Sequence, residues 1–411
     1  MKQRDQKIRS SWSRYAFLIF PIVLFFGASA GCQVRRGHVV QPASPDVASI
    51  ALVETAPVET TLDHPAIPEA AQVWPEMIER ARTSLDIAEF YVSDMPGSRL
   101  GPVLEAVERA ADRGVHVRLL VEESFYAKYP ESVQRLARHP GIETRRFDLH
   151  ATMGGILHAK YFVVDRTDAY VGSQNFDYRS LEHIQEIGVR VHGAAIAGQL
   201  DDLFAADWDV AGGAPPSRWA AAWHGPVEVR TGDGLTLRLG ASPRGYLPDD
   251  AMWELPALVG WIDGATRDVD VQLLTYKPAH HDGAPFTVLD DALRRAAGRG
   301  VRVRLLVSHW GAKDEGLARL ARELPPPSAV RILTIPPWSG GEIPFARVAH
   351  AKYAVIDGAR SWVGTSNWEG DYFLRSRNVS VFVDGPPFAR SLHAVFEDGW
   401  TSAYARPLAR N

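Results

Sequence analysis

The stretch Leu157-His158-Ala159-Lys160-Tyr161-Phe162-Val163-Val164-Asp165 decides how this chain of 411 residues is organised. It has the form H-x-K-x-x-x-x-D, and the chain contains that form a second time, in His350-Ala351-Lys352-Tyr353-Ala354-Val355-Ile356-Asp357. Each copy is followed by a Gly-(Ser/Thr)-x-Asn turn, which ends at Asn175 in the first copy and at Asn367 in the second. A repeated motif with a repeated turn after it predicts that the chain is duplicated.

The segments around the two motifs repeat as well. Residues 113–121 are almost identical to residues 299–307, at an offset of 186, and the two motif histidines lie 192 residues apart. A duplication with a small insertion explains both offsets. In each half, apolar residues recur with alternating helical and strand periodicity, so we expect an α/β fold built from two related halves.

The periodicity also predicts the boundaries of these halves. The first half is expected at residues 71–212 and the second at 251–405, joined by a Gly- and Pro-containing connecting segment at 213–250 that is not a loose linker. Residues 32–70 have little periodicity and are interpreted as a tether, within which 49–54 could form an edge strand. Helices are predicted at 72–82, 100–112, 131–139, 256–265 and 287–297, and strands at 84–91, 115–121, 143–147, 268–276 and 301–307.

The two motifs predict a site for chemistry on a phosphodiester. A His and a Lys two residues apart on an extended segment project to the same face, which puts an ionisable imidazole beside a positive charge. With two such pairs, one imidazole attacks phosphorus while the other protonates the leaving oxygen and then activates water. Lys160 and Lys352 would stabilise the charge on the non-bridging oxygens. This chemistry needs no metal or other cofactor, and the sequence shows no cluster of metal ligands.

An asymmetry between the copies favours His158 as the nucleophile. Glu186 follows His158 by 28 residues, whereas the position 28 residues after His350 is Asn378. If Glu186 bonds to His158, its carboxylate would fix the tautomer and stabilise the imidazole as it becomes cationic. His350 would then be the general acid and afterwards the general base.

The remaining motif residues are expected to support this site. Asn175 and Asn367, with Ser173 and Thr365 on the same turns, are predicted to contact the substrate. Asp165 and Asp357 are counted with the catalytic set, although each is expected to serve a structural role by capping its strand.

The N-terminus predicts export from the cytoplasm. Residues 1–14 are basic, an apolar run spans 15–26, and small residues lead to Cys32, the one cysteine of the chain. Residues 1–31 are therefore interpreted as a signal peptide of the lipoprotein type, with Cys32 as the lipidated residue. An uncleaved membrane anchor is the alternative, but the apolar run is shorter than the roughly 20 residues that a spanning helix needs. Either way, the catalytic part is expected in the cell envelope, outside the cytoplasm.

Composition sets weaker limits on function. The chain is 46% hydrophobic and 23% charged, as in folded soluble proteins, and its formal net charge of −4 argues against a strongly basic nucleic-acid binder. A local positive funnel remains compatible with that charge.

The two motifs and the segments Gly172–Leu181, Ser308–Gly311 and Gly364–Phe373 resemble the phospholipase D superfamily, and in particular its animal lysosomal branch. The resemblance spans about residues 50–405. It implies a pseudo-twofold α/β/α sandwich with the active site at the junction of the halves. For this branch it implies a 5′-exonuclease on single-stranded nucleic acid, and lysophospholipid transphosphatidylation has been connected with the branch as well. The chain lacks the luminal cysteines of that branch.

The substrate remains open between nucleic-acid ends and membrane phospholipids. Aromatic residues near predicted strand ends could stack on bases or pack in the core, namely Tyr91, Trp310, Trp368, Tyr372 and Phe373. A catalytically silent binding protein is disfavoured by the intact motifs. The tyrosyl-DNA phosphodiesterase branch is disfavoured by the Asp in both motifs, and the cardiolipin synthase branch by the lack of paired N-terminal spanning helices.

Overall fold

Two mixed β-sheets form the framework of the protein in a computed structural model, which describes residues 46–221 and 228–408. In chain order the strands are β1 Ser49–Thr55, β2 Ser84–Glu89, β3 Val92–Ser93, β4 His116–Glu122, β5 Ile142–Phe147, β6 Tyr161–Val164, β7 Asp168–Gly172, β8 Phe176–Asp177, β9 Glu186–His192, β10 Glu228–Arg230, β11 Thr236–Ser242, β12 Asp268–Leu273, β13 Arg302–Ser308, β14 Ala329–Leu333, β15 Tyr353–Ile356, β16 Arg360–Gly364, β17 Asn378–Asp384 and β18 Ala405–Pro407.

Helices cover both faces of each sheet. In chain order they are α1 Ala70–Glu79, α2 Gly101–Asp112, α3 Glu123–Tyr126, α4 Pro130–Ala137, α5 Leu149–Met153, α6 Ala194–Ala211, α7 Glu254–Asp263, α8 Val288–Gly298, α9 Glu315–Glu323, α10 Gly370–Leu374 and α11 Pro386–Thr401. Short 3-10 helices span Pro216–Ala221, Asp250–Met252 and His309–Gly311. Among the described helices none combines the length and the apolar character needed to cross a membrane.

The strand order proves the duplication. The first sheet runs β1-β9-β7-β6-β2-β4-β5, and the second contains the run β11-β17-β16-β15-β12-β13-β14 with β10 and β18 added at its ends. In each sheet the motif strand (β6 or β15) pairs antiparallel with the first strand of a parallel group, β2 or β12. The predicted duplicated α/β/α fold is confirmed.

The predicted helices and strands of both halves are present, with ends shifted by a few residues. Helix α2 stops at Asp112 and Gly114 follows with φ +85°, while α8 stops at Gly298 and Gly300 follows with φ +89°. A left-handed residue just past a helix is the position at which glycine costs least, which explains why both copies keep it.

Two boundaries differ from the prediction. Residues 49–55, within the expected tether, form β1, which pairs with β9 at the edge of the first sheet. Residues 236–242, within the expected connecting segment, form β11, which pairs with β17 in the equivalent place. Each half therefore begins one strand earlier than the periodicity indicated, because a single edge strand has no helical partner to reveal it. The predicted signal peptide and Cys32 lie outside the described residues.

The hydrophobic core joins the two halves. Helices α1, α2 and α4 cover the outer face of the first sheet, and α7, α8 and α9 cover that of the second. Between the sheets, α6 and α11 contribute to one continuous cluster that contains strand residues of both halves, for example Val163 and Val355. This shared layer fixes the relation of the two sheets and so the position of anything built where they meet.

Candidate active site

Each motif histidine is held by the backbone of the opposite half. The His158 amide donates to the Arg377 carbonyl at 2.9 Å, and the His350 amide donates to the Gln185 carbonyl at 2.8 Å. Isolated bridges pair Leu157 with Arg377 and Gln185 with Ala349. These crossed connections bring both histidines into one site, close enough that the charges of His350 and Lys352 act on His158.

Because of these crossed connections, Glu186 contacts a different histidine from the one predicted. The Glu186 carboxylate bonds Nδ1 of His350 at 2.8 Å, and Nδ1 of His158 lies 3.1 Å from Oδ1 of Asn378. The expectation that Glu186 bonds to His158 is wrong. The residue 28 positions after each histidine follows the segment that pairs with the other motif, so it contacts the other histidine.

A polar network orients both partners. The Asn378 amide nitrogen donates to the Tyr372 carbonyl at 2.8 Å, and its oxygen accepts the Thr365 hydroxyl at 2.9 Å. That oxygen is therefore the acceptor that faces His158, so Nδ1 of His158 carries the proton and Nε2 carries the lone pair. On the other side, the Ser180 hydroxyl donates to Glu186 at 2.9 Å.

The two imidazoles consequently differ in basicity. Burial, together with the charges of Lys160 and Lys352, holds the pKa of His158 well below its ordinary value. Burial also lowers the pKa of His350, but the Glu186 carboxylate opposes that change. For Glu186 itself, burial favours a higher pKa, yet His350 and Lys352 outweigh it and the pKa is lowered. Of the two histidines, His350 is the one equipped to carry a proton.

The two lysines are fully buried at the base of the site. Nζ of Lys160 donates to the carbonyl of His158 and Nζ of Lys352 to that of His350, each at 2.6 Å. Burial and the charge of Lys352 hold the pKa of Lys160 well below its ordinary value, and burial lowers the pKa of Lys352 to about 7. Two buried amines this close destabilise each other's charge, so an anion placed between them is strongly favoured.

The turn residues divide into two roles. Asn175 and Asn367 are buried, and the side-chain oxygen of each has no hydrogen-bond partner. A phosphate contact would need the amide nitrogen as donor, so the predicted substrate contact of both residues stays a prediction. Ser173 instead bonds the backbone of Ile187, and Thr365 bonds that of Val379 as well as Asn378. Ser173 and Thr365 therefore position the strands and the amide, and their predicted contact with the substrate stays a prediction.

The motif aspartates lie at the far ends of the motif strands. The Asp165 carboxylate accepts the backbone amides of residues 82–84 and the Thr83 hydroxyl, at 2.7–2.9 Å for the shortest contact to each. Asp357 accepts the amides of residues 266–268 in the same way. These contacts agree with the expected capping role, and they give both aspartates a structural part at a distance from the motif histidines.

Two further buried carboxylates border the site, and neither belongs to a sequence motif. Glu122 accepts the Leu157 amide at 2.6 Å and so fixes the start of the first motif. Glu89 lies beside Lys160, and burial raises its pKa well above the ordinary value. The sequence could not mark either residue, because the second half has Ser308 and Leu273 at the equivalent ends of β13 and β12.

The predicted stacking residues divide between the site and the hydrophobic core, to which Trp368 and Phe373 belong. Trp368 and Phe373 are buried, and Tyr372 meets the His158 ring edge-on with centroids 4.8 Å apart. Tyr91 is stacked between Phe125 and Tyr129. Trp310 alone of the predicted set is exposed, at 45%.

The described residues include one group with metal-ligand spacing, which no sequence pattern announced. Glu54, Asp63 and Glu69 come together where β1 leads into α1, and Glu54 is already bonded to His64 at 2.7 Å. The group lies outside both motifs.

Two buried His–Lys pairs, one from each duplicated half, converge in one site, an arrangement suited to chemistry on a phosphodiester. Residues 75–208 and 258–400 each match the family model described as "Cardiolipin synthase, PLD-like domain". The chain therefore belongs to the phospholipase D superfamily and is similar to its animal exonuclease branch.

Curated relatives cover most of the chain. "Phospholipase D Z" of Dictyostelium discoideum is 31% identical over 88% of this chain and 91% of its own. The "5'-3' exonuclease PLD3" of Homo sapiens is 32% identical over 88% of this chain and 81% of its own. Among solved structures, the phosphatidylserine synthase of Haemophilus influenzae superimposes with a TM-score of 0.60 at 10% identity, covering 82% of this chain and 85% of that chain, which supports the fold alone.

Proposed function

We propose that the protein cleaves phosphodiesters by two displacements through a covalent phosphohistidine. Nε2 of His158 attacks phosphorus, and the P–O bond to the leaving oxygen breaks as His350 transfers its proton to that oxygen. His350 then takes a proton from water, whose oxygen attacks phosphorus and breaks the P–N bond. The cycle returns both imidazoles to their starting states.

The contrast between Asn378 and Glu186 carries this assignment. A nucleophile must be neutral, and His158 has a neutral amide partner and a strongly lowered pKa. A general acid must hold a proton, and His350 has the carboxylate. His158 thus keeps the role predicted from the sequence, for the opposite structural reason.

We further propose that the substrate is the 5′ end of single-stranded nucleic acid. The support is the similarity over most of the chain to relatives named as 5'-3' exonucleases, among them PLD3 of Homo sapiens and PLD4 of Mus musculus. Phospholipid is the alternative, supported by relatives named as phospholipase D.

One comparison separates these substrates. Residues 33–411 are purified and assayed in EDTA with 5′-labelled single-stranded DNA and, separately, with phosphatidylcholine vesicles. We expect mononucleotide release that His158→Ala abolishes. Choline release without mononucleotide release would overturn the exonuclease proposal in favour of the phospholipase.

The cell-envelope location remains a proposal that rests on the N-terminal pattern. Labelled palmitate should enter the full-length protein and be lost in Cys32→Ser. An unlabelled wild-type protein, retained with its first 31 residues, would favour the uncleaved anchor instead.

A further inference from the structure

Two exposed aromatic side chains lie together beside the second motif. Six large hydrophobic side chains of the described residues are exposed, and the aromatic ones among them are Trp310 at 45% and Phe345 at 67%. Their rings meet edge-on, with centroids 6.5 Å apart and planes at 86°. An edge-to-face pair leaves ring faces open to solvent, which is an unfavourable arrangement unless something covers them. We call this pair the aromatic platform.

The platform lies at the same end of the second sheet as His350. Trp310 follows β13, which runs parallel to β12, and the start of β15 is at that same end because β15 runs antiparallel to β12. Phe345 is five residues before His350. Five extended residues span at most about 18 Å, so both rings lie within the reach of a substrate bound at the histidines.

The loop that carries Phe345 is rigidly held. Phe345 has φ +63°, a conformation that is rare for a bulky residue. The Arg347 guanidinium donates to the carbonyls of Pro336 and Val58 at 2.7 and 2.8 Å, and Arg179 donates to that of Pro344 at 3.2 Å. Strain that is maintained by two buried arginines and ends in an exposed aromatic ring is characteristic of a binding position.

The same loop holds a cation that lacks a full set of partners. Arg347 is 8% exposed, and its Nη2 is buried without a hydrogen bond. This buried guanidinium holds the loop in place, and the open ring faces of Trp310 and Phe345 are surfaces on which unpaired bases stack. The exposed charged side chain on residues 334–349 is Glu342, so this loop offers an incoming strand ring faces for its bases and no exposed cation for its phosphates.

We infer that Trp310 and Phe345 form a stacking subsite for unpaired nucleobases of the substrate strand. The inference rests on the proposed nucleic-acid substrate and adds to it the surface that recognises the strand. Stacking of this kind tolerates any base, so the subsite gives affinity for single strands without sequence preference.

The test compares two phosphodiester substrates, of which one carries nucleobases. Wild type, Trp310→Ala/Phe345→Ala and Trp310→Phe/Phe345→Tyr are assayed in EDTA on a ten-residue oligothymidylate and on bis(p-nitrophenyl) phosphate, which has no base. For the Ala double variant we expect KM for the oligonucleotide to rise about 10- to 100-fold. Its kcat, and its activity on the small diester, should stay within about twofold of wild type. The conservative variant should retain most of the affinity.

Val288→Ala, which alters an exposed apolar residue on α8, is the matched control and should change KM and kcat for neither substrate. An unchanged oligonucleotide KM in the Ala double variant overturns the inference, and so does an equal loss on both substrates, which would show a structural role. The variants are also assayed on phosphatidylcholine vesicles. If the Ala double variant loses activity on the vesicles alone, the pair contacts lipid and the inference is overturned. If wild type itself releases no nucleotide but hydrolyses the small diester, the proposed function fails rather than the subsite alone.

Discussion

At the scale of single residues, two identical motifs become unequal through one neighbour each. His158 and His350 have the same local sequence, the same buried lysine and the same strand. They differ in that a carboxylate faces one and an amide the other. The sequence reveals this asymmetry as Glu186 against Asn378, but not which histidine each serves. That depends on two backbone bridges, Leu157–Arg377 and Gln185–Ala349, between segments that are distant in sequence, which no local pattern encodes.

The Glu186 carboxylate beside His350 leads to a prediction about how activity depends on pH. His158 must be neutral and His350 protonated, and both pKa values lie below the ordinary 6.5. Activity should therefore fall at low pH as His158 gains a proton and at higher pH as His350 loses one, with an optimum on the acid side of neutrality. In Glu186→Gln the pKa of His350 should drop, which moves the basic limb of kcat/KM to lower pH by about one unit or more.

The profile is measured with oligothymidylate in EDTA, because its alkoxide leaving group requires the proton of His350. Asn378→Asp is the reciprocal variant. It puts a carboxylate beside His158, which should raise the pKa of His158 and move the acidic limb to higher pH. Movement of the acidic limb in Glu186→Gln would mean that Glu186 acts on the nucleophile.

At the scale of elements, the motif aspartates fasten strands at the ends remote from the motif histidines. Asp165 has φ +51° and Asp357 φ +53°, and each carboxylate gathers three successive amides at the start of β2 or β12. A carboxylate suits this place because it accepts several hydrogen bonds at once while its residue type tolerates positive φ.

Asp165→Ala should accordingly lower stability and spare catalysis. We expect the free energy of unfolding in urea to fall by about 1–3 kcal/mol, since several amides lose their acceptor, with kcat on the small diester within about twofold of wild type. Asp357→Ala should behave alike because its contacts are the same. A loss of kcat above about a hundredfold with unchanged stability would place the aspartates in the catalytic set.

The elements themselves were largely predictable, because amphipathic helices and buried strands carry their own periodicity. The edge strands β1 and β11 were the exception. The run 49–54 suggested an edge strand only within an expected tether, and β11 lay unrecognised in the connecting segment. Both owe their place to pairing with β9 and β17, which is a property of the sheet and not of the segment.

At the scale of the whole molecule, a buried ion pair locks the halves together. Arg377 donates two bonds of 2.9 Å to Asp207 of α6, and both side chains are fully inaccessible to solvent. Arg377 also donates to the carbonyls of Ser242 and Tyr246, and its own carbonyl holds the His158 amide. The packing of the two halves and the position of His158 therefore both depend on Arg377.

Arg377→Met should destabilise the protein strongly. It leaves the Asp207 carboxylate buried without a cation, which costs about 3–5 kcal/mol in the free energy of unfolding measured in urea. Arg377→Met/Asp207→Leu should recover much of that loss. Arg135→Met, whose partner Glu108 is partly exposed, is the matched control and should cost about 1 kcal/mol or less. A cost for Arg377→Met as small as that of the control would contradict the locking role.

The duplication and the convergence of both motifs at one junction followed from the repeated sequence alone. The crossed contacts, the exposure of Trp310 and the roles of Glu89 and Glu122 did not, because each depends on how the halves pack together.

The most direct test of the central claim is to locate the covalent intermediate. Wild type is mixed with excess oligothymidylate in EDTA at acid pH, quenched with alkali within milliseconds, and its peptides are analysed by mass spectrometry. We predict a nucleotidyl adduct on His158 that is missing from His158→Ala. In His350→Ala an adduct on His158 should accumulate from bis(p-nitrophenyl) phosphate, whose leaving group departs without a proton. An adduct on His350, or turnover that requires a divalent metal and forms no adduct, would contradict the account.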